Sequence, residues 1–405
     1  MVHKYSELDL MQARIKEVPK GWSFLPIVKA FKIRNELRKP ISDEIRCTQQ
    51  GIYPYYGPTK IQDYIDTYEQ DGSFALIGED GDHFLKYKSQ SMTQLVDGKC
   101  TVNNHAHIIE GTKTASREWF CYYFMHRDIF SYLSRQGAGR YKLNKASLEK
   151  IYLLIPPSEE QDKIVKILAT WDQAISTTEK LLKNSQQQKK ALMQRLLTGE
   201  KRLLDENGKV FNSEWLIFSV NQIGRVVTGS TPPKEQVENY GNCFNWATAE
   251  DFQGKYIDDT KLQLSEIGVR KARILSKGAV LVTCIASIGK NAIANKEMAT
   301  NQQINAVEVN EFNSNEFFYY LIEFNVKKLR ALAGTTAVAI LNKSTFEKIK
   351  FNMPSLQEQR KIAQVISVAD QEIEILQKKL DCFKEEKKAL MQQLLTGKKR
   401  VKEAA

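Results

Sequence analysis

Apolar and polar positions along this 405-residue chain follow two rhythms that alternate. From Glu160 to Leu197 no Pro or Gly interrupts the chain, and Ile164, Ile167, Trp171, Ile175, Leu181, Leu182, Leu192 and Leu196 stand mostly at helical spacings. A second such run carries Ile362, Val365, Ala369, Ile373, Leu376, Leu380, Phe383, Leu390 and Leu394. Spacings of three, four and seven describe a stripe along one helix face. Pro156-Pro157 and Pro354 precede the runs, and Gly199 and Gly397 follow them, as helix start and stop signals do. About 38 residues at 1.5 Å each make a rod of roughly 57 Å. A rod of that length outruns a domain of about 150 residues, so its stripe needs a partner. The other rod, laid antiparallel, is the expected one.

Ahead of each rod the rhythm changes. GIYPYYGPTKIQDYI (51–65), SFALIGEDGDHFLKY (73–87) and GKCTVNNHAHII (98–109) alternate apolar letters between Gly, Asp and Asn. GRVVTGSTPPKE (224–235), FNWATAEDF (244–252), KGAVLVTCIASIGKNAIA (277–294) and ATNQQINAVEV (299–309) do the same. Short strands joined by loops are expected there. Each segment closes on a small-residue loop, RQGAGRYKLNK (135–145) or LAGTTAVAILNK (332–343).

The rods are copies of one another. KKALMQRLLTG (189–199) returns 198 residues later as KKALMQQLLTG (387–397), with ten of eleven letters unchanged. At the same offset LNKASLEKI (143–151) meets LNKSTFEKI (341–349), IPPSEEQDKI (155–164) meets MPSLQEQRKI (353–362), and WDQAI (171–175) meets ADQEI (369–373). Ungapped, Leu143–Gly199 shares 26 of 57 positions with its second copy, too many for two unrelated charged helices. The segments ahead of the copies do not align. The plan is therefore variable segment, repeated helix, variable segment, repeated helix.

A net charge of +11 favours an acidic partner, nucleic acid or an anionic surface. Cys47, Cys100, Cys121, Cys243, Cys284 and Cys382 form no CxxC, and MVHKYSELDL has no apolar leader, which leads to the expectation of a reduced, cytoplasmic protein. No convincing catalytic set emerges. Asn103, Asn104, His105 and His107 lack the HExxH or Cys spacing of a metal site. Gly78-Glu79-Asp80-Gly81 reads as a turn more readily than as a cation site. Thr231-Pro232-Pro233-Lys234 superficially resembles the catalytic tetrapeptide of adenine methyltransferases, but without its leading amide or acid and closing aromatic it cannot hold a flipped base. No phosphate-binding P-loop is present. What remains is rich in amides, hydroxyls, Lys and Arg, which hydrogen-bond base edges and phosphates.

With its duplicated LNK…EKI, Pro, EQ…KI and KKALMQ-LLTG motifs around two dissimilar segments, the whole chain resembles the specificity subunit of type I restriction-modification systems. NNHAHI and YPYYG resemble one subclass of its target-recognition domains, and TGSTPP, SIGK and TNQQIN another. The resemblance implies an α+β fold. Two mixed α/β target-recognition domains would be separated by two long helices packed as an antiparallel coiled coil, in a pseudo-twofold arrangement. The first recognition domain would occupy 1–154, its spacer helix 155–200, the second domain 201–352, and the second helix with its tail 353–405. It implies that the chain performs no chemistry and binds no cofactor. Each domain would read half of a split, asymmetric site on double-stranded DNA. Two methyltransferase subunits using S-adenosylmethionine and two ATP- and Mg2+-dependent restriction-translocase subunits would dock on it. A coiled-coil adaptor without DNA contact is the alternative. In the first domain the residues expected at the DNA are Tyr55, Tyr56, Lys60, Asn103, Asn104, His105, His107 and Arg140. In the second they are Thr228, Ser230, Thr231, Lys290, Asn301, Gln302, Gln303, Thr335 and Thr336. One departure stands out: after Gly397 only KKRVKEAA follows, so the extension that could close the family's pseudo-circle is absent or minimal.

Overall fold

The structure is a computed structural model that describes residues 5–136, 140–334 and 338–401. Two compact units divide the chain: Met1–Glu179 with Lys379–Ala405, and Lys180–Lys378. The division cuts both rods, so each unit holds the beginning of one and the end of the other.

In the first unit, described strands form a six-stranded sheet in the order Lys32–Ile33, Ala106–Glu110, Gln70–Gly78, Thr93–Val102, Gln50–Tyr56, Ile61–Ile65. Leu76, Val96, Cys100, Val102, Ala106 and Ile108 fill one interior cluster. A two-stranded ribbon, Ser23–Pro26 against Tyr152–Ile155, brackets the domain. Helix α1 (Arg117–Phe124) packs between ribbon and sheet. Its sequence REWFCYYF is apolar on every side, and Trp119, Phe120, Cys121, Tyr122, Tyr123 and Phe124 are all buried. Ser116 caps it, accepting from the Trp119 amide at 3.1 Å, and the Trp119 indole donates to Leu154 O at 2.9 Å.

The first rod is one uninterrupted helix, α2 (Ser158–Leu197). Its opening turns place Ile164 and Leu168, both fully buried, in the core beside α1. The same core receives Met391, Leu394 and Leu395 from the end of the second rod. Residue numbers rise along one rod as they fall along the other: Asp172 pairs with Lys387 and Glu179 with Lys384, while the Trp171 and Phe383 rings meet edge to face at 5.5 Å. Antiparallel packing is thus realised inside this unit.

The second unit repeats the frame around different sheets. Its ribbon is Leu216–Ser219 against Lys350–Met353. Helix α3 (Asn315–Phe324) stands where α1 stands in the first unit, and the second rod, α4 (Leu356–Leu394), opens with Ile362, Ala363 and Ile366 in the core. Met193, Leu196 and Leu197 arrive from the end of α2. Among the described residues one five-stranded sheet runs Gly224–Thr228, Ile304–Val309, Val280–Thr283, Asn291–Ala294, Tyr256–Ile257. A second runs Tyr240–Gly241, Gln263–Leu264, Phe244–Ala247, Met298–Thr300, Ile274–Leu275.

Two expectations are revised. Leu181 is half exposed, and Leu182 takes the inward position. The offset of the repeat also reaches further back than Leu143. Ser116, Glu118 and Tyr122 correspond to Ser314, Glu316 and Tyr320, so α1 and α3 belong to the duplicated frame. Among the described residues no helix is long and apolar enough to cross a membrane.

Candidate DNA-contact surfaces and the joints of the arms

The joints explain the repeated Glu-Gln at the head of each rod. Gln161 donates to Pro156 O at 2.9 Å and accepts from the Ser116 amide at 3.2 Å. Gln359 donates to Pro354 O at 2.9 Å and accepts from the Ser314 amide at 2.8 Å. Each glutamine therefore ties the rod's first turn to the start of the short aromatic helix. The glutamates hold arginines. Arg202 Nε and Nη2 donate to Glu358 at 2.7 and 2.8 Å, and Arg202 also lies over the Trp215 ring. In the first unit Arg400 donates to both oxygens of Glu160 at 2.7 Å, lies over Trp22, and donates to Lys20 O at 2.7 Å. Arg400, three residues after Gly397, thus has a defined seat. It supplies to Glu160 what the linker after Gly199 supplies to Glu358. Gly397 itself has φ 69°, and a Cβ there would come within 2.4 Å of Pro19 Cγ, so glycine ends this rod for two reasons.

In the first domain the expected contact residues divide by burial. Tyr55 is 2% exposed and its hydroxyl accepts from the Ile41 amide at 2.9 Å. His107 is fully buried between Asn35 and Leu143 O, at 2.8 and 2.7 Å, and burial lowers its pKa, which keeps it neutral. Asn103 is buried as well, donating to Gln62 and accepting from the His105 amide. These three side chains serve the fold. Asn104 and Lys60 are exposed, and Tyr56 is half-buried. His105 rests on Asp80 at 2.9 Å, and Arg140 reaches the same carboxylate at 3.6 Å. Beneath them Glu79 is held by Arg38 and Lys142; burial opposes its charge, but these two cations outweigh it and its pKa is lowered. The Glu79 amide donates to His105 O, and the Asn103 amide to Tyr56 O. The structure therefore brings Tyr56, Asn104, His105 and Arg140 onto one connected set of loops.

The second domain gathers its candidates more completely. Thr228 donates to Asn305 at 2.7 Å, and Thr231 donates to Gln302. The Ser230 amide donates to Thr300 O and the Gly229 amide to Ile304 O. A Cβ on Gly229 would fall 2.1 Å from Asn301 O, so this close approach of two loops requires glycine. Asn301 caps its own turn by accepting from the Gln303 amide, and Gln303 O accepts from the Cys284 amide. This joins the loop that ends at exposed Lys290 to the rest. Thr335 and Thr336 lie outside the described residues. Arg273 was missed by the sequence reading. It is exposed, its guanidinium donates to Thr228 O at 2.7 Å, and its amide donates to Ser230 Oγ at 3.1 Å. An isolated Arg in KARIL (271–275) carries no motif; only its bonds to the Thr228–Thr231 loop reveal it.

Two unlike loop-bearing domains, each fastened by the same joints to both of two long helices, define a two-reader scaffold protein. The chain belongs to the family of type I restriction modification DNA specificity domains, whose model matches it twice, over residues 19–185 and 212–382, as befits a specificity subunit with two such domains. A protein of Haemophilus influenzae carrying the name of a type I restriction enzyme specificity subunit is 27% identical over 84% of this chain and 86% of its own length. The MjaVIII specificity subunit of Methanocaldococcus jannaschii is 24% identical over 98% of this chain and 97% of its own. The crystal structure of the type I restriction-modification S subunit from M. genitalium superposes with a TM-score of 0.66, covering 94% of this chain and 97% of that one, at 15% identity.

Proposed function

We propose that this chain reads a split, asymmetric sequence on double-stranded DNA and performs no chemistry of its own. Each domain reads one half-site through its loop cluster, and the rods set the unread distance between the halves. Two methyltransferase subunits dock along the rods and add a methyl group to adenine N6 with S-adenosylmethionine. Two further subunits use ATP and Mg2+ for translocation and cleavage. The complex works in the cytoplasm. The observation that carries this reading is the repetition of the joints around two unlike sets of loops: the frame is copied and the readers are not.

Exchange of residues 224–310 for the corresponding stretch of another specificity subunit tests it. This exchange leaves Trp215, Tyr320 and both rods in place. Sequencing of methylated sites in a host with no other methylation should show one half of the motif changed and the other retained. A change in both halves would reject the division of labour.

Alanine at Asn104, His105, Thr231 or Gln302 should each relax one position of one half-site, at a cost of about 1–3 kcal/mol where a bidentate base contact is lost. Alanine at Lys60 or Lys290 should weaken binding to all sequences alike and flatten its salt dependence. Binding curves over a range of salt, on matched and mismatched duplexes, separate the two classes. Unchanged affinity and specificity across most of these variants would reject the assigned surfaces.

A further inference from the structure

Each unit contains a polar triad built on a buried tyrosine, with a largely buried lysine and a partly exposed carboxylate. In the first, the Tyr122 hydroxyl on α1 donates to Asp172 on α2 at 2.8 Å, and Lys387 of α4 pairs with the other oxygen of that carboxylate. In the second, the Tyr320 hydroxyl on α3 donates to Asp370 on α4 at 2.6 Å, and Lys189 of α2 pairs with its other oxygen at 2.6 Å. The ammonium lies over the tyrosine ring in both, at 5.4 and 5.6 Å. Tyr122 and Tyr320 are 4% and 0% exposed. All three members correspond between the units at the repeat offset of 198 residues.

Polar groups in this position are costly to misplace. An apolar stripe repeating every three or four residues tolerates a slide of one turn or one heptad, because one apolar side chain replaces another. A buried ammonium does not, since a slide of one turn moves it about 5.4 Å from its carboxylate. Each slide of one turn or one heptad fails at one triad or both. A one-turn slide that brings Glu374 opposite Lys189 brings Ser176 opposite Lys387. A heptad slide in the same sense brings Glu179 opposite Lys387 but Gln377 opposite Lys189. Slides the other way place Leu168 opposite Lys387 and Ile366 opposite Lys189. Among these registers only the observed one sets both lysines against a carboxylate of the opposite rod; Lys189 is held as well by Glu323 of α3 at 2.9 Å.

We infer that the Tyr122–Asp172–Lys387 and Tyr320–Asp370–Lys189 triads are register locks, and hence that these six residues determine which spacer length the protein accepts. The inference rests on the reading of the rods as a ruler. The triads touch no base and act as positioning residues. They fasten each reader's own helix to both rods, so that a change of register would move one reader relative to the other.

The test uses the full chain reconstituted with its methyltransferase subunits, with sequencing of all methylated sites. The Lys189→Met/Lys387→Met double variant should keep both half-sites yet methylate sites whose spacer differs by one or two base pairs, at least tenfold more than the parent. Lys387→Arg should retain the native spacer. Tyr122→Phe/Tyr320→Phe, which removes one hydroxyl from each triad and with it the 3.2 Å bond that Tyr320 accepts from Lys255, should relax the spacer in the same direction to a smaller extent. It carries the test if the methionine variant fails to fold. Strict retention of the native spacer in a folded lysine variant, or in the phenylalanine variant where that one alone folds, would overturn the inference. An insertion variant that lengthens both rods is run alongside. If it moves the spacer while the triad variants do not, the locks fail and the ruler stands; if it does not move the spacer, the ruler itself fails.

Discussion

Replacing Arg202 by methionine is expected to destabilise the unit Lys180–Lys378 by about 3–5 kcal/mol, the usual cost of stripping one partner from a buried ion pair. The Glu358 side chain is fully buried and its carboxylate is held by two bonds from Arg202. The neighbouring Trp215 indole nitrogen, buried without a partner, does not reach it. Arg400→Met should cost the other unit less, about 1.5–3 kcal/mol. Glu160 keeps a bond at 3.0 Å from the Trp22 indole, and Arg400 is itself 41% exposed. The order of the two effects, 202 above 400, follows from these two differences between otherwise matched joints. Hydrogen exchange in α3 and α1 reads the two units separately, which a single melting curve of a two-unit chain would not. Equal losses, or the reverse order, would refute the account of the joints.

The first joint also carries a pH signature. Burial works against the Glu160 charge, but the bonds from Arg400 and Trp22 outweigh it and hold its pKa below the ordinary 4.5. A carboxyl with a depressed folded pKa adds stability above its unfolded value and loses it as pH falls through the folded one. Protection of α1 should therefore decline below about pH 4.5, and decline less steeply in Arg400→Met, where that contribution is already gone.

The frame was legible in the sequence because its joints lie within ungapped copies: the Pro, Glu-Gln, Lys and Gly that hold it are the letters that repeat. Helices α1 and α3 were not legible. EWFCYYF and EFFYYLI are apolar all round, so no periodicity marks them, and only Ser116, Glu118, Phe120 and Tyr122 survive between the copies. The matched tryptophans were hidden for another reason. Trp22 and Trp215 stand at a separation of 193, not 198, because the variable segment from Trp215 to Ser314 is five residues longer than that from Trp22 to Ser116. At the reading surface the polar letters were visible but their direction was not. Asn103 and His107 bracket Asn104 and His105, yet the outer two turn inward to Gln62, Asn35 and Leu143 O. Those partners are distant in sequence, and nothing local announces them. Lys399-Arg400 repeats Lys201-Arg202 at the same offset, but the role of Arg400 stays hidden because its partner is a glutamate 240 positions earlier.

Matched insertions of four residues, one after Ser185 and one after Glu372, are expected to lengthen the spacer by about two base pairs and leave both half-sites unchanged. Ser185 donates to Glu372 at 3.3 Å, so the two insertions meet across the pair. Four residues add roughly 6 Å to each rod, close to two steps of ~3.4 Å along the duplex. Rotation agrees as well. Four residues at about 100° each end some 40° past a full right-handed turn. Two base pairs, at about 10.5 per turn, rotate the DNA by about 70° in the same sense. For rods that lie along the duplex, as the proposed ruler requires, the second reader would return to within about 30° of the face it read before. Seven residues behave otherwise. They add about 10.5 Å and fall some 20° short of two turns, while three base pairs rotate by about 105°. The heptad insertion suits the packing of the rods better and the DNA worse, so it should abolish methylation instead of moving it. Ser185→Pro should abolish methylation too, by breaking the rod at a cost of about 3 kcal/mol or more. Sequencing the sites methylated by each reconstituted variant decides the matter. An active four-residue variant with the original spacer would mean that the rods hold partner subunits without setting the distance between the readers.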